Sequence, residues 1–420
     1  MDIVEDVHMT YVELFDKTSI ENICAILTDI PKRVVFVGDN KKKVSRWIQY
    51  YQKVFSKRGH NIEFECRAVS KWDVDQVVKV LTEIVNTYDD CVFGVTGGDE
   101  MALLALGIVY ERYRDKNIQI HRIGIRNNKI HDCDKDGNTI YKELPWLTVE
   151  ENIRIYGGEI EQVNQWDFEN GEEFALDVRK MWSICKDGAK SWNIQTGVFE
   201  VIANEGVTSE DGLEVCADID QVREYYKKHS GSYNMNNALI KKMCEQGLLT
   251  NFSETENQVT VTYKNLQVKK CLTKAGMALE MMILLAAKEL QDENGRPLYN
   301  DVVNGVSIDW DGELHEEEDN TYDTINEIDV LMMHNMVPIF VSCKNGSVDM
   351  NELYKLNTVA ERFGGKYAKK VLIATNLSGM GRTEEYLKQR AQDMNIKILD
   401  DLHNMDETIL KEKLSKLWIG

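Results

Sequence analysis

The stretch NEIDVLMMHNMVPIFVSCKNG, residues 326–346, predicts two β-strands joined by a tight turn, with charged side chains at the open end. Alternate side chains of a strand share a face, so Glu327 and Asp329 point one way in the first strand, and Ser342 and Lys344 lie together in the second. If the two segments pair as a hairpin, the acids and the lysine meet on one face. A functional site explains a charged lysine directly after the apolar PIFVSC; the alternative is a structural ion pair at the strand ends.

This composition suits the hydrolysis of a phosphodiester. Carboxylates hold a divalent metal through oxygen, and a lysine orients water or neutralises the charge that develops on a phosphate. Glu280 adds a third carboxylate within the apolar helical stretch MALEMMILLAA, where a buried acid needs a metal or another cation as partner. The alternative is a solvated helix position. The candidate catalytic residues are Glu280, Asp329, Ser342 and Lys344, and the candidate metal ligands are Glu280, Glu327 and Asp329.

The first 130 residues alternate strand-like and helix-like segments. The strand candidates, which are apolar and rich in β-branched or aromatic residues, are 9–15, 33–38, 61–69, 90–98 and 118–125. The segments between them have helical spacing, which predicts an α/β fold with a mostly parallel sheet covered by helices on both faces. In such folds, ligands bind at the carboxyl ends of the strands.

Two loops at these strand ends are candidate ligand-binding sites. In VFGVTGGDEMALLALG, residues 92–107, a Thr-Gly-Gly turn lies between a strand and a helix, where glycines allow close approach and helix N–H groups favour a phosphate. A tight turn without a ligand explains the glycines equally well. The candidate ligand-binding residues are Asp16, Lys17, Thr18, Ser19, Thr96, Gly97 and Gly98.

The rest of the chain suggests two further units. We expect domains at 1–150, 151–270 and 271–420. In the middle unit, 234–265 has a short helix followed by two strands, an order that resembles a winged helix-turn-helix; a helix and hairpin packed between domains is the alternative. The third unit predicts, in order, helix 273–291, strands 301–310, 326–333 and 337–343, helix 350–363, strand 369–376, a helix and strand 396–400. The acidic segment 312–323 is expected to be a solvated loop.

Composition limits the classes of function. The chain has 420 residues, a net charge of −20, and nine scattered cysteines without a CxxC pair, which argues against both a disulfide framework and a zinc ribbon and indicates the reducing cytoplasm. No secretory signal or membrane-spanning segment is predicted. A net negative field repels phosphate backbones, so any nucleic-acid contact must be local; lysine-rich patches at 263–274 and 364–370 are the candidates.

With NEIDV followed by a strand that ends in SCK, the last 150 residues resemble the PD-(D/E)xK nuclease superfamily. The resemblance implies a metal site formed by Glu280, Asp329 and the position of Ser342, with Lys344 beside it. Ser342 departs from the family pattern, which has Glu or Asp there, and a hydroxyl is a poor metal ligand. Either Glu327 or Asp309 supplies the missing oxygen, or metal binding is weakened.

Together with this unit, the N-terminal region resembles a CARF domain, the Rossmann-like sensor of type III CRISPR defence. The resemblance implies a homodimer that binds a cyclic oligoadenylate, most often the tetra-adenylate, over residues 16–19 and 96–98. Enzymes of this kind use manganese or magnesium to nick or cut DNA, and some also cut single-stranded RNA. We expect ligand binding to draw the sensors together and bring the nuclease units, with the lysines at 264–274 and 366–370, into register around a nucleic-acid strand.

Three rival functions remain. A CARF domain joined to a winged helix would be a ligand-responsive transcription regulator that binds DNA without cleavage. The sensor could itself degrade the cyclic adenylate. A housekeeping junction resolvase does not account for the large N-terminal unit.

Overall fold

The computed structural model describes residues 9–15, 20–69, 73–133, 139–166, 171–229, 231–312, 325–346, 348–377 and 382–419. Its N-terminal unit alternates strands and helices. The strands are β1 (Thr10–Leu14), β2 (Arg33–Gly38), β3 (Glu63–Ala68), β4 (Cys91–Gly94), β5 (Ile118–Gly124), β6 (Lys129–Cys133) and β7 (Thr139–Glu143). The helices are α1 (Cys24–Asp29), α2 (Lys41–Lys57), α3 (Val74–Thr87) and α4 (Glu100–Arg112).

These strands form one sheet in the order β3-β2-β1-β4-β5-β6-β7. The first five are parallel, as the sequence predicts, whereas β6 and β7 form an antiparallel hairpin at the edge that was not predicted. Asn40, Asp73 and Asp99 cap α2, α3 and α4 by accepting hydrogen bonds from backbone N–H groups. Apolar cores on both faces cover the sheet.

The middle of the chain contains a second, smaller sheet. This part of the chain contains, in order, α5 (Val149–Ile155), β8 (Glu159–Gln162), α6 (Gly171–Lys186), α7 (Ala189–Glu205), β9 (Val207–Thr208), β10 (Glu214–Asp218), α8 (Ile219–Lys228), α9 (Asn237–Glu245), β11 (Leu249–Glu254), β12 (Gln258–Tyr263) and α10 (Leu266–Leu272). The sheet order is β11-β12-β10-β9. The helix and two strands predicted within 234–265 are present as α9, β11 and β12, and with α7, β10 and α8 they follow the order of a winged helix.

The C-terminal unit is a mixed sheet flanked by helices. Its elements are α11 (Met277–Lys288), β13 (Asp301–Asp309), β14 (Ile325–His334), β15 (Val337–Lys344), α12 (Met350–Gly364), β16 (Lys369–Ala374), α13 (Arg382–Asp393), β17 (Ile396–Leu399) and α14 (Glu407–Leu414). The strand order is β17-β16-β15-β14-β13-β8. Every element predicted here from 273 onward is present. The sixth strand, β8, comes from the range expected for the middle unit and pairs antiparallel with β13. Most of the acidic segment 312–323 lies outside the described residues.

One apolar core joins the N-terminal and C-terminal units. It contains Tyr11 and Phe36 of the first sheet together with Phe340 of β15 and Phe363 of α12. Polar contacts cross the same boundary: the Asn152 side-chain amide donates to the Phe363 carbonyl at 2.8 Å. The two units are therefore packed against each other through a shared core.

The nine cysteines all fall within the described residues and all are free, as their scattered spacing predicts. Within the described ranges, no helix combines the length and the apolar character that crossing a membrane requires.

Candidate functional site

The predicted hairpin forms, and its strands separate at one end to make a fork. Paired residues run from His334 and Val337 at the turn to Val330 and Val341. Asp329, the next residue, lies at the fork, where its Oδ2 atom accepts hydrogen bonds from the Cys343 backbone N–H at 2.6 Å and from the Ser342 hydroxyl at 3.2 Å. These donors fix the carboxylate of Asp329 against the end of β15.

Lys344 lies between two carboxylates. Its Nζ atom is 2.9 Å from Glu352 Oε2 and 3.6 Å from Asp329 Oδ2. Burial opposes the charge of the Lys344 ammonium, but the attraction of Asp329 and Glu352 outweighs it and raises the Lys344 pKa. Burial likewise disfavours an ionised Glu352, yet Lys344 lowers its pKa below the usual value. The lysine that follows the apolar strand is thus held in its charged form.

Glu280 lies on α11, which is buried along its length, and its carboxyl interacts electrostatically with Asp329 although it is not among the residues that line the cavity at the fork. The side chain of Glu280 is almost fully buried, and its Oε2 atom accepts a long hydrogen bond, 3.5 Å, from the side-chain amide of Asn304. Burial, together with the negative charge of Asp329, raises the pKa of Glu280 to about 7. Burial also raises the pKa of Asp329, although Lys344 acts in the opposite direction. The negative charges of Glu280 and Asp329 therefore repel each other, and burial makes both charges less favourable.

A cavity of about 340 Å³ opens at the fork. The predicted residues Glu327, Asp329, Ser342 and Lys344 all line it. Glu327 is half exposed and pairs with Lys274 at 2.9 Å. Glu352 and Lys355 of α12 also line the cavity and were not predicted. The only hint of Glu352 in the sequence is an acid three residues after the Asp349 cap, a pattern that is common in helices without any function.

The carboxylate oxygen atoms at the fork suit a hard divalent cation, because Mg²⁺ and Mn²⁺ prefer carboxylate and other oxygen ligands. A cation would also relieve the repulsion that raises the pKa values of Glu280 and Asp329. The fit is incomplete, since no three Asp, Glu, His or Cys side chains among the described residues converge as a ready metal cluster.

The second candidate site lies at the carboxyl edge of the N-terminal sheet. Because β1 and β4 pair in parallel, their ends lie side by side. The Thr96 hydroxyl accepts a hydrogen bond from the Ile123 N–H at 2.7 Å, which anchors the loop to β5. Gly98 has a φ of +90°, and a Cβ there would lie 2.7 Å from Leu14 Cβ, so this turn requires glycine. The four candidates Asp16, Lys17, Thr18 and Ser19 lie outside the described residues.

Three exposed lysines at this edge, Lys41, Lys42 and Lys43, were not predicted as site residues. They form the first turn of α2, which contains no acid. The positive end of the helix dipole disfavours cations at this position. Lys43 also lies 5.9 Å from the Phe15 ring, just before residue 16. In the sequence, these lysines could have been found from the run DNKKK, residues 39–43, which directly follows the predicted strand 33–38.

The predicted lysine patches divide into different environments. The ammonium group of Lys264 forms salt bridges with Asp177 at 2.7 Å and with Glu173 at 2.8 Å. Lys274 borders the fork through its pair with Glu327. Lys369 lies opposite Ile339 at the start of β16, so it is at the other end of the sheet from Lys344. That second patch lines a separate cavity of about 850 Å³.

The winged-helix-like unit has an acidic wing. The tip between β11 and β12, residues 254–258, carries Glu254 and Glu256 and no lysine or arginine. Helix α9 presents the exposed Lys241 and Lys242, but Glu245 lies 3.8 Å from Lys241. A wing that contacts a phosphate backbone needs positive charge.

Two solved structures share this architecture over nearly the whole chain. Can2 from Sulfobacillus thermosulfidooxidans, in complex with cyclic tetra-adenylate (cA4), is 16% identical with a TM-score of 0.65, and the match covers 98% of this chain and 100% of that one. Protein VC1899 from Vibrio cholerae is 17% identical with a TM-score of 0.69, covering 97% and 99%. No protein-family model and no curated protein matches the chain. At these identities the likeness establishes the fold, and the α/β fold expected from the resemblance is confirmed.

Proposed function

We propose that this protein is a metal-dependent endonuclease of type III CRISPR defence that a cyclic oligoadenylate, the tetra-adenylate, activates to nick or cut DNA and also single-stranded RNA. The observation that carries the proposal is the placement of Lys344 between Asp329 and Glu352 in the cavity at the fork. The fold shared with Can2, which was solved with cA4, supports the choice of activator. Residues 1–150, 151–270 and 271–420 then act as sensor, linker and nuclease, with β8 of the middle range adding a strand to the nuclease sheet.

Glu280 and Asp329 would hold Mn²⁺ or Mg²⁺, with the Ser342 hydroxyl and Glu327 nearby. A metal held by these residues would supply Lewis-acid chemistry, which would polarise the scissile phosphate and lower the pKa of a water molecule. Lys344, which stays protonated, faces the cavity and stabilises the negative charge that develops on the phosphate. The N–H of Cys343 and the hydroxyl of Ser342 keep Asp329 oriented during this step.

The activator would bind at the carboxyl edge of the sensor sheet. Thr96, Gly97 and Gly98 let the backbone approach the ligand, residues 16–19 add polar groups, and Lys41 to Lys43 supply positive charge for its phosphates. A bound anion would also offset the unfavourable placement of three lysines at the positive end of α2.

A direct contact can carry the signal from sensor to nuclease. Glu21, a few residues after the 16–19 loop, forms hydrogen bonds with Lys366 at 3.0 Å and with the Tyr367 hydroxyl. These two residues precede β16, which pairs with β15 as far as Lys344. Glu21 is therefore linked through Lys366 and Tyr367, and then β16, to the strand that holds the catalytic lysine.

The protein would act as a homodimer whose sensors meet along α4. Met101, Leu103 and Leu104 are exposed on this helix, directly after the Thr-Gly-Gly turn, and neighbouring exposed apolar residues commonly mark an interface. Leu104→Lys should give a monomer in light scattering coupled to size-exclusion chromatography. Val207→Lys, at an exposed residue of the middle unit, should leave the mass unchanged. A Leu104→Lys protein that stays dimeric would exclude this interface.

Supercoiled plasmid tests the proposed activity. We expect nicking with Mn²⁺ that depends on cA4, is lost in Lys344→Ala by about 100-fold or more, and is retained in Lys228→Ala, a change at an exposed lysine of α8. Sequence-specific binding without cleavage would instead favour a transcription regulator, although the acidic wing argues against it. Linear products from cA4 incubated with metal-free protein would reveal a sensor that degrades its own activator.

A further inference from the structure

The residue that follows Lys344 is held by a buried network of polar contacts. The side-chain amide of Asn345 donates hydrogen bonds to Asn193 Oδ1 at 2.8 Å and to Cys185 Sγ at 3.1 Å. The Oδ1 atom of Asn345 accepts a hydrogen bond from the Thr375 hydroxyl at 2.6 Å, and the amide of Asn193 donates to the Asn345 carbonyl. Asn345, Thr375 and Cys185 are buried. A buried amide whose donor and acceptor atoms are all paired has one preferred orientation.

These partners come from two different units. Asn193 lies on α7 and Cys185 on α6, both in the middle unit, whereas Thr375 directly follows β16 of the C-terminal sheet. The Thr375 N–H also donates to the Lys344 carbonyl at 3.1 Å. The carbonyl groups of Lys344 and Asn345 therefore accept hydrogen bonds from two separate elements, the end of β16 and helix α7.

The end of β15 needs this support because the fork leaves it without one neighbouring strand. In the described pairing, β14 accompanies β15 only as far as Val341, whereas β16 accompanies it to Lys344. The ammonium group of Lys344 must nevertheless stay between Asp329 and Glu352. A shift of the main chain at the strand end would carry the ammonium group with it.

We propose that the middle unit positions Lys344, because Asn193, through Asn345, holds the end of β15 in place. This inference rests on the proposed nuclease, and it gives the unit that joins sensor and nuclease a direct part in the reaction. Asn193 and Asn345 are positioning residues, since neither lines the cavity at the fork. The alternative is that the network only stabilises the packing of the two units, without affecting Lys344.

Acetylation of the metal-free full chain, measured by mass spectrometry, tests the position of Lys344 without nucleic acid. An ammonium group held by two carboxylates reacts slowly, because only the uncharged amine is a nucleophile. Asn193→Ala should raise the acetylation rate of Lys344 severalfold relative to that of the exposed Lys228. In plasmid nicking, the same variant should lower kcat by about tenfold and leave KM unchanged.

Gln195→Ala is the matched control. Gln195 is buried on the same helix, but its Oε1 atom accepts a hydrogen bond from the Asn236 N–H at 2.9 Å, within the middle unit. This variant should weaken α7 in a similar way and leave both the acetylation of Lys344 and kcat at the wild-type level.

Thr375→Val provides a second variant from the nuclease side, should Asn193→Ala fail to fold. It removes the hydroxyl that Asn345 accepts from and keeps a similar side-chain shape, so it should act as Asn193→Ala does. Thr375→Ser retains the hydroxyl and should behave as the wild type.

The outcomes separate positioning from general stability. Equal acetylation of Lys344 in the wild type, Asn193→Ala and Thr375→Val would overturn the inference. An equal increase in Asn193→Ala and Gln195→Ala would also overturn it, because loss of stability would then explain the effect. A wild-type protein that cleaves neither DNA nor RNA would overturn the proposed function, whereas a change in acetylation confined to the network variants would still support the positioning of Lys344.

Discussion

The fork of the C-terminal sheet and the carboxyl edge of the N-terminal sheet are built in different ways. At the fork, charged side chains hold one another: Asp329, Lys344 and Glu352 form one chain of contacts, and burial together with the charge of Asp329 raises the pKa of Glu280. At the sensor edge, the turn depends on a glycine conformation and a backbone N–H contact with Thr96. The chemistry proposed for the fork should therefore be sensitive to charge, whereas the ligand binding proposed for the edge should be sensitive to backbone shape.

This difference suggests where regulation is possible. The fork is largely assembled in the single chain, so activation need not create its contacts. The contact of Glu21 with Lys366 and Tyr367 joins the two regions, together with the core that contains Phe36 and Phe340. Changes at the edge should therefore alter activation without altering metal binding, and changes at the fork should do the reverse.

The largest expected effect that separates the regions is that of Gly98→Ala. A side chain at a φ of +90°, 2.7 Å from Leu14 Cβ, costs about 1–3 kcal/mol or displaces the turn. We expect cA4 affinity, measured by calorimetry, to fall by about tenfold or more, while Mn²⁺ binding stays at the wild-type level.

Gly197→Ala is the matched control. Gly197 lies in the middle of α7 with open space around it, so alanine should stabilise the helix by up to about 1 kcal/mol and leave cA4 affinity unchanged. Normal cA4 binding by a folded Gly98→Ala protein would show that this turn does not contact the activator.

A smaller effect is expected from Glu280→Gln, and it depends on pH. The folded pKa of Glu280 is about 7, above its ordinary value of 4.5, so the folded protein binds the proton more tightly than the unfolded chain. Stability of the metal-free protein should therefore fall as the pH rises from about 4.5 to about 7. Glu280→Gln should make this decline shallower and stabilise the protein at pH 7.5 by roughly 1–3 kcal/mol.

Thermal unfolding in the presence of a chelator, followed from pH 5 to 8, measures this slope. Asp329, whose pKa is also raised, contributes to the part that remains in Glu280→Gln. In Glu412→Gln the slope should stay, because the exposed Glu412 has a pKa that Lys416 lowers. An unchanged slope in Glu280→Gln would mean that water reaches this carboxylate.

Local sequence patterns predict most of the fold. The five parallel strands alternate with helices, and the hairpin of β14 and β15 follows from two apolar, strand-like segments on either side of a turn in residues 326–344. The hairpin of β6 and β7 was missed because Lys129–Cys133 and Thr139–Glu143 mix polar and apolar residues. The pairing of β8 with β13 joins segments that are far apart in sequence, and periodicity contains no information on such contacts.

The site was predictable only where its residues belong to one motif. Asp329, Ser342 and Lys344 share the face that strand alternation requires, and the structure brings them into one cavity. Glu352 was missed because its approach depends on how α12 packs against the sheet. Lys264 lies in a patch predicted to contact substrate, yet it forms salt bridges with Asp177 and Glu173. These partners are remote from it in the sequence, so a local sequence pattern could not reveal them.

The smallest expected effect concerns Lys42 and Lys43. Their joint replacement by alanine should weaken cA4 binding about 3–10-fold and make the dissociation constant less dependent on salt, because screening acts on exposed charges. The control is the joint change of the exposed Lys241 and Lys242 on α9, which should leave cA4 binding as it is. Removing cations from the first turn of α2 should slightly stabilise the helix, so weaker binding could not be attributed to poorer folding. Unchanged affinity together with unchanged salt dependence would assign recognition at this edge to backbone shape alone, which would make the contrast with the charged fork complete.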